Sequence, residues 1–275
     1  MINSVSFHLT KPCNMSCKYC FATFQDFKVN KQLTLEESKL IVDKLHAYGI
    51  EKITFAGGEP MLYKELNNLI WYTKSLGITT SIITNGSLVS FEFLSSMTGH
   101  LDWFGLSIDS VYTNTNIKIG RVYGRHQFPI LMNSYKMLIN MARSCNCKIK
   151  INTVVNAHNQ TESMQKFITW VNPNRWKIFD ALRVKGQNDK HWEEVKSTRF
   201  DEFVSRHSHP NMVVEDNRLM TSSYILIDPL GRVFDDTLGK HTYSDSLLTS
   251  SMENCMKQVN ISEELFLERG GKYNW

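Results

Sequence analysis

Val5, Phe7 and Leu9 alternate with Ser6, His8 and Thr10, a period of two that predicts a first strand running into the loop at Cys13. Residues 34–48 (TLEESKLIVDKLHAY) switch to helical spacing, opening on the capping-box pair Thr34 and Glu37 and stopping at Gly49. The unit then recurs. Strands at 51–58, 78–86, 101–109, 147–155 and 175–184 alternate with helices at 62–76, 91–98, 128–143 and 160–171. Such a series demands a parallel sheet with right-handed crossovers. The expected fold is α/β, a partial (β/α)6 barrel of the TIM type with its working face at the strand C-termini. A flat doubly wound sheet is the alternative with the same rhythm.

Past residue 185 the rhythm breaks. A charged helical stretch at 189–207, a hairpin around SYILIDPLGRVF (223–234) and the tail ERGGKYNW predict an α+β cap over residues 186–275. No Pro- or Ser-rich linker separates it from the barrel of residues 1–185, so one domain is expected. The 42% hydrophobic content suits a sizeable core, and a net charge of +4 implies neither nucleic acid nor an anionic membrane as partner. The opening MINSVSFHLTKPC lacks the features of a secretion signal, and no run reaches the roughly 18 apolar residues of a spanning helix. A cytoplasmic protein is expected.

In a reducing compartment, the clustering of Cys13, Cys17 and Cys20 as CxxxCxxC argues for metal rather than disulfides. Cys145, Cys147 and Cys255 read as packing thiols. Three thiolates are one short of the four that usually hold a [4Fe-4S] cluster, which leaves one iron open to another ligand. The alternative is a zinc site completed by His8 or His46, although structural zinc motifs usually pair two such knuckles. The next strand ends in Ala56-Gly57-Gly58-Glu59-Pro60. Here two glycines permit close backbone approach and Glu59 can accept from an ammonium group; a turn before a helix is the plainer reading.

Together, CxxxCxxC and GGEP make the chain resemble the radical S-adenosylmethionine superfamily. That resemblance implies that Cys13, Cys17 and Cys20 ligate the cluster and that S-adenosylmethionine fills the open iron site. It further implies that Tyr19 lies near adenine and that Gly58 and Glu59 meet the methionine amino group. Thr84, Asn85 and Ser107 end strands at positions that suit the ribose and methionine portions, or they simply cap those strands.

The alternation also exposes a cationic lumen. Lys52 and Thr54 oppose Ile53 and Phe55; Lys148, Lys150 and Asn152 oppose Ile149 and Ile151; Arg175 and Lys177 oppose Trp176 and Ile178. Buried cations without partners cost several kcal/mol each. Few acidic residues share those inward positions, since Glu51 and Asp180 fall in the other parity and Asp109 is nearly alone. A polyphosphate is the natural partner, unless the lysines snorkel out at the barrel floor.

The segments FHLTKPCNMSCKYCF, EKITFAGGEP, NGSL, SIDS with IGR, KIKINTVVN, NPNRWKIF, SYILID and RGGKYNW resemble, in order, the viperin-like family within that superfamily. This implies a synthase of 3′-deoxy-3′,4′-didehydro nucleotides, acting on CTP, UTP or GTP by hydrogen abstraction at C4′ and loss of water. Its chain-terminating product would serve antiviral defence. Lys52, Lys150, Asn152, Arg175 and Lys177 would hold the triphosphate, and Arg121 would pair with the carboxylate of S-adenosylmethionine. Arg269 and Lys272 would fold over the phosphates on a tail expected to move without nucleotide, or that Gly-rich end simply frays; Tyr224 would deliver a proton or electron late in the reaction, or simply pack in its hairpin. A flavodoxin- or ferredoxin-like electron donor and a monomeric state are expected. The membrane helix of animal members has no counterpart in this sequence, so no membrane attachment is expected. RVFDDTLGKHT and Ala56 depart from the animal pattern and leave the base open. The rival readings are another radical reaction on a phosphorylated metabolite or peptide, and a metal-binding redox module.

Overall fold

Outward-facing apolar residues of the strands form the main core. The computed structural model describes residues 2–28, 32–194 and 197–275. β1 (Ser4–His8), β2 (Lys52–Ala56), β3 (Thr79–Thr84), β4 (Trp103–Ser107), β5 (Lys148–Val155) and β6 (Arg175–Asp180) pair in parallel in that order. Phe7, Ile53, Phe55, Ile82, Phe104, Ile149, Ile151, Trp176 and Ile178 are fully buried in the cluster shared with the crossover helices. Each such side chain contributes about 1.5–3 kcal/mol relative to exposure.

Those helices are α1 (Leu35–Ala47), α2 (Leu66–Ser75), α3 (Phe91–Ser96), α4 (Thr113–Lys118), α5 (Met132–Ser144) and α6 (Gln165–Val171). The reciprocal capping box of Thr34 and Glu37 starts α1. α4 occupies the stretch that alternation leaves as a long loop; its six residues are too few to show a period. α2 begins later than its pattern suggests, because Pro60–Leu62 form a separate short turn of helix.

Four further strands extend the sheet, and two were not legible in the sequence. β7 (Met212–Glu215) pairs in parallel with β6, and β8 (Ile225–Ile227) pairs in parallel with the far side of β1. β9 (Arg232–Asp235) and β10 (Thr242–Ser246) continue antiparallel beyond β8, so 223–234 contains the expected hairpin. β7 and β10 are short, and long-range pairing rather than local pattern creates them. Ser6 on β1 and Lys177 on β6 line one cavity although four strands separate them, so the sheet curls into a partial barrel. The inward parity is polar, unlike a doubly wound sheet, which packs helices on both faces.

Within the charged stretch, α7 (Ser197–Ser205) forms, and positions 195 and 196 lie outside the described residues. After α8 (Asn217–Met220) and α9 (Met252–Met256), α10 (Glu263–Glu268) leads into the tail. Among the described residues, no helix is long and apolar enough to cross a membrane.

Candidate active site

The cysteine loop is clamped from two sides. Leu9 N donates to Ala56 O at 2.9 Å, Gly58 N to Thr10 O at 2.6 Å and Glu59 N to Pro12 O at 2.9 Å. A Cβ at Gly58 would lie 2.2 Å from Pro12 O, so this glycine is required by the approach of the cysteine loop itself. Opposite, Ser16 N and Lys18 N donate to Gly120 O and Ile119 O at 3.2 and 3.1 Å, and a Cβ at Gly120 would meet Ser16 O at 2.2 Å.

Cys13 is exposed, and Cys17 and Cys20 are half-buried. Burial pushes the Cys17 thiol up to about 11, against the pull of Arg121, and the Cys20 thiol up to about 12. Binding iron there therefore displaces protons. Among the described residues no three His, Cys, Asp or Glu side chains converge on one ion. His8 is packed between Phe24 and Phe234, with ring centroids 5.4 and 5.7 Å away, and His46 is exposed on α1. Three thiols on one clamped loop, with no fourth His, Cys, Asp or Glu converging on them among the described residues, fit a cluster with an open iron better than a mononuclear zinc site.

Around this loop the polar groups are already engaged. Buried Glu59 accepts from Thr84 Oγ1 at 2.6 Å, from Asn85 N at 2.8 Å and from Met61 N at 3.2 Å. Burial raises its carboxyl above the ordinary range, and these bonds pull against that rise. Asn85 Nδ2 donates to Asn14 Oδ1 at 2.9 Å, tying the end of β3 to the loop. Arg121 is buried beside Cys17, pairs with Asp109 at 2.9 Å and donates to the Ser107 carbonyl. Tyr19 also donates to Asp109. Desolvation disfavours the Arg121 charge, yet Asp109 and Tyr19 hold its pKa well above the ordinary value.

At the other end of the lumen, Ser4, Ser6, Lys52, Thr54, Lys150, Lys177, Tyr224, Arg269 and Tyr273 line a cavity that opens to solvent. Lys52 is pushed down to about 6 by burial and by Lys150 and Arg175, and Lys150 to about 7 by burial and Arg175. Asn152 Oδ1 and Arg175 Nε are buried without a hydrogen-bond partner. Lys148, expected to face inward, is exposed at the floor, where its ammonium lies 5.2 Å from the Trp103 ring centroid.

The sequence reading missed the carboxylate that serves this cluster. Glu215, fully buried at the end of β7, pairs with Lys177, accepts from the Tyr224 hydroxyl and lies 3.8 Å from Arg269. Burial alone would raise its carboxyl, but Lys177 and Arg269 hold it below the ordinary range. Lys177 Nζ also donates to Tyr224 Oη at 2.8 Å. The only local signal for Glu215 was an acid closing the short apolar run MVVE.

The tail is seated in the lumen. Arg175 donates to Gly270 O at 2.6 Å and stacks 3.8 Å from the Tyr273 ring centroid, while Lys52 Nζ donates to Tyr273 Oη at 2.5 Å. Arg269 thus joins the cation cluster, but Lys272 is exposed and Tyr273 takes the inward place.

The sequence profile of the radical SAM superfamily matches residues 8–171. The chain belongs to the radical S-adenosylmethionine superfamily. Within it, a Lacinutrix mariniflava protein is 43% identical over 100% of this chain, which spans 59% of that relative's length. A Flammeovirga pacifica protein is 40% identical over 100% of this chain and 97% of its own length. Both are named S-adenosylmethionine-dependent nucleotide dehydratase. A Danio rerio protein named S-adenosylmethionine-dependent nucleotide dehydratase RSAD2 is 36% identical over 99% of this chain and 78% of its own. Two solved structures share the fold. Streptococcus suis SuiB bound to S-adenosylmethionine has a TM-score of 0.67 at 16% identity, covering 84% of this chain and 59% of its own. Native anSMEcpe with bound AdoMet has 0.66 at 13%, covering 97% and 82%. Radical SAM enzymes use a [4Fe-4S] cluster and S-adenosylmethionine, and the donor set of Cys13, Cys17 and Cys20 fits that cluster.

Proposed function

We propose that this radical SAM protein converts a ribonucleoside triphosphate (CTP, UTP or GTP) to its 3′-deoxy-3′,4′-didehydro analogue. The observation that carries the reading is the crowding of Lys52, Lys150, Arg175, Lys177 and Arg269 around one cavity, with Glu215 as the carboxylate in direct contact. A triphosphate supplies the missing negative charge through charge-assisted bonds. When bound, the cluster and S-adenosylmethionine supply a 5′-deoxyadenosyl radical that removes the C4′ hydrogen. Glu59, Thr84, Asn85, Ser107 and Arg121 would orient the cofactor, with Tyr19 beside its adenine. Asn152, with its unpartnered oxygen, would hold the substrate between cofactor and cations.

One proton then carries the 3′-hydroxyl away as water, and one electron completes the C3′–C4′ double bond. Tyr224 and Lys177, joined through Glu215, hold exchangeable protons at the cavity wall. Residues 186–275 extend the barrel wall of residues 1–185 on both sides and close it, contributing Glu215, Tyr224, Arg269 and Tyr273 to the lumen. A flavodoxin- or ferredoxin-like donor supplies the electron, and the product, a chain terminator, serves antiviral defence.

The test is anaerobic reconstitution with iron and sulfide, followed by incubation with S-adenosylmethionine, reductant and each of the four ribonucleoside triphosphates separately. The expected result is 5′-deoxyadenosine formation stimulated by one or two of them, with a nucleotide product lighter by water. Equal 5′-deoxyadenosine with and without nucleotide would overturn the reading.

A further inference from the structure

A second, shallow cavity, open on one side, lies against the cysteine loop. Tyr19, Ile119, Ala157 and Ala181 line it from the barrel, and Trp192 from a strap beyond β6. That strap lies outside residues 8–171, the span matched by the superfamily profile. It is nevertheless built onto the site. Asn188 Nδ2 donates to the carbonyls of Tyr19 and Leu182 at 3.0 and 2.8 Å, and Asn188 Oδ1 accepts from Val184 N at 2.9 Å.

The polar side chains of this cavity are largely spent. The Tyr19 hydroxyl donates to Asp109, Asn156 Oδ1 accepts from His158 N at 3.0 Å, and His158 Nε2 lies 3.2 Å from Glu193 Oε1. What remains is flat aromatic and methyl surface, with the exposed side chains of Lys18 and His191 as the polar part of the lining. That lining suits a neutral planar ring and contrasts with the cation-lined lumen, which suits phosphate. We infer that Trp192 is a further cofactor-binding residue, covering the adenine ring of S-adenosylmethionine in the cavity it shares with Tyr19. The inference rests on the radical SAM cofactor reading and adds to it a contact made by the C-terminal extension.

The test uses anaerobically reconstituted protein with 5′-methylthioadenosine and S-adenosylhomocysteine as probes, read by indole fluorescence and calorimetry. Methylthioadenosine should change the emission of the natural protein, and Trp192→Phe should abolish that change while binding within about threefold of the natural affinity. Trp192→Ala should weaken binding about tenfold, within the range for a base stacked on an aromatic side chain. Trp192→Leu replaces it if the alanine variant unfolds at a lower temperature. Unchanged affinity in both truncated variants overturns the assignment. So does an emission change that depends on Trp192 but is produced by CTP and not by methylthioadenosine. Failure of the natural protein to bind either adenosine probe would overturn the cofactor reading itself, a separate outcome.

Discussion

The two ends of the barrel handle charge in opposite ways. At the cysteine end, the ionisable groups are answered within the protein: Arg121 by Asp109, and Glu59 by Thr84, Asn85 and Met61. At the other end, cations outnumber the carboxylate that touches them, and burial drives the lysines toward the neutral form. A pre-paired end is ready to hold a cofactor in one geometry, since its side chains are fixed before the ligand arrives. An under-paired end stores unfavourable charge that a polyanion relieves, so part of the fold's stability there belongs to the ligand.

The sharpest way to break this contrast is to remove one carboxylate from each end. Glu215→Gln should destabilise the protein by about 3–5 kcal/mol in denaturant unfolding, because Lys177 and Arg269 lose their buried partner. Inorganic tripolyphosphate should restore part of that loss. Asp109→Asn should cost about 3 kcal/mol and reduce cluster loading measured by absorbance, with no recovery on adding tripolyphosphate. Equal recovery of both variants would show that the ends do not differ in this way.

Smaller effects sharpen it. Lys150→Ala should weaken nucleotide binding about 10- to 100-fold, the loss of a bond between charged groups, while cluster absorbance stays intact. Loss of the cluster in that variant would mean the lysine is structural. The smallest effect is on pH. Lys52 and Lys150 have folded pKa values of about 6 and about 7, below the unfolded value of 10.5, so the unfolded chain binds more protons between pH 6 and 10. The nucleotide-free protein should therefore gain stability as pH rises above 6, by up to about 1.4 kcal/mol per pH unit for each amine. Nucleotide affinity should fall over the same range, and binding at pH 7.5 should take up protons, which calorimetry in buffers of different ionisation enthalpy detects.

Much of the site was legible locally. CxxxCxxC and GGEP are contiguous motifs, and the inward lysines of β2, β5 and β6 announce themselves because strand alternation assigns faces without tertiary information. The partner of those lysines was not legible. Glu215 reaches them only because β7 joins β6, a pairing that four residues of local pattern do not specify. Tyr273 escaped for a related reason, since a chain end after two glycines carries no period to assign its face.

The sequence by itself determined the βα order, the thiolate triplet and the cationic faces of the strands, all set by residue type at fixed short spacing. Only the tertiary structure decided which charges meet: Arg121 with Asp109 and Tyr19, Lys177 with Glu215 and Tyr224, and Trp192 above the cavity beside the cysteines. Charge pairing and cavity shape depend on distances across the barrel, and spacing along the chain fixes those distances only after the sheet has curled.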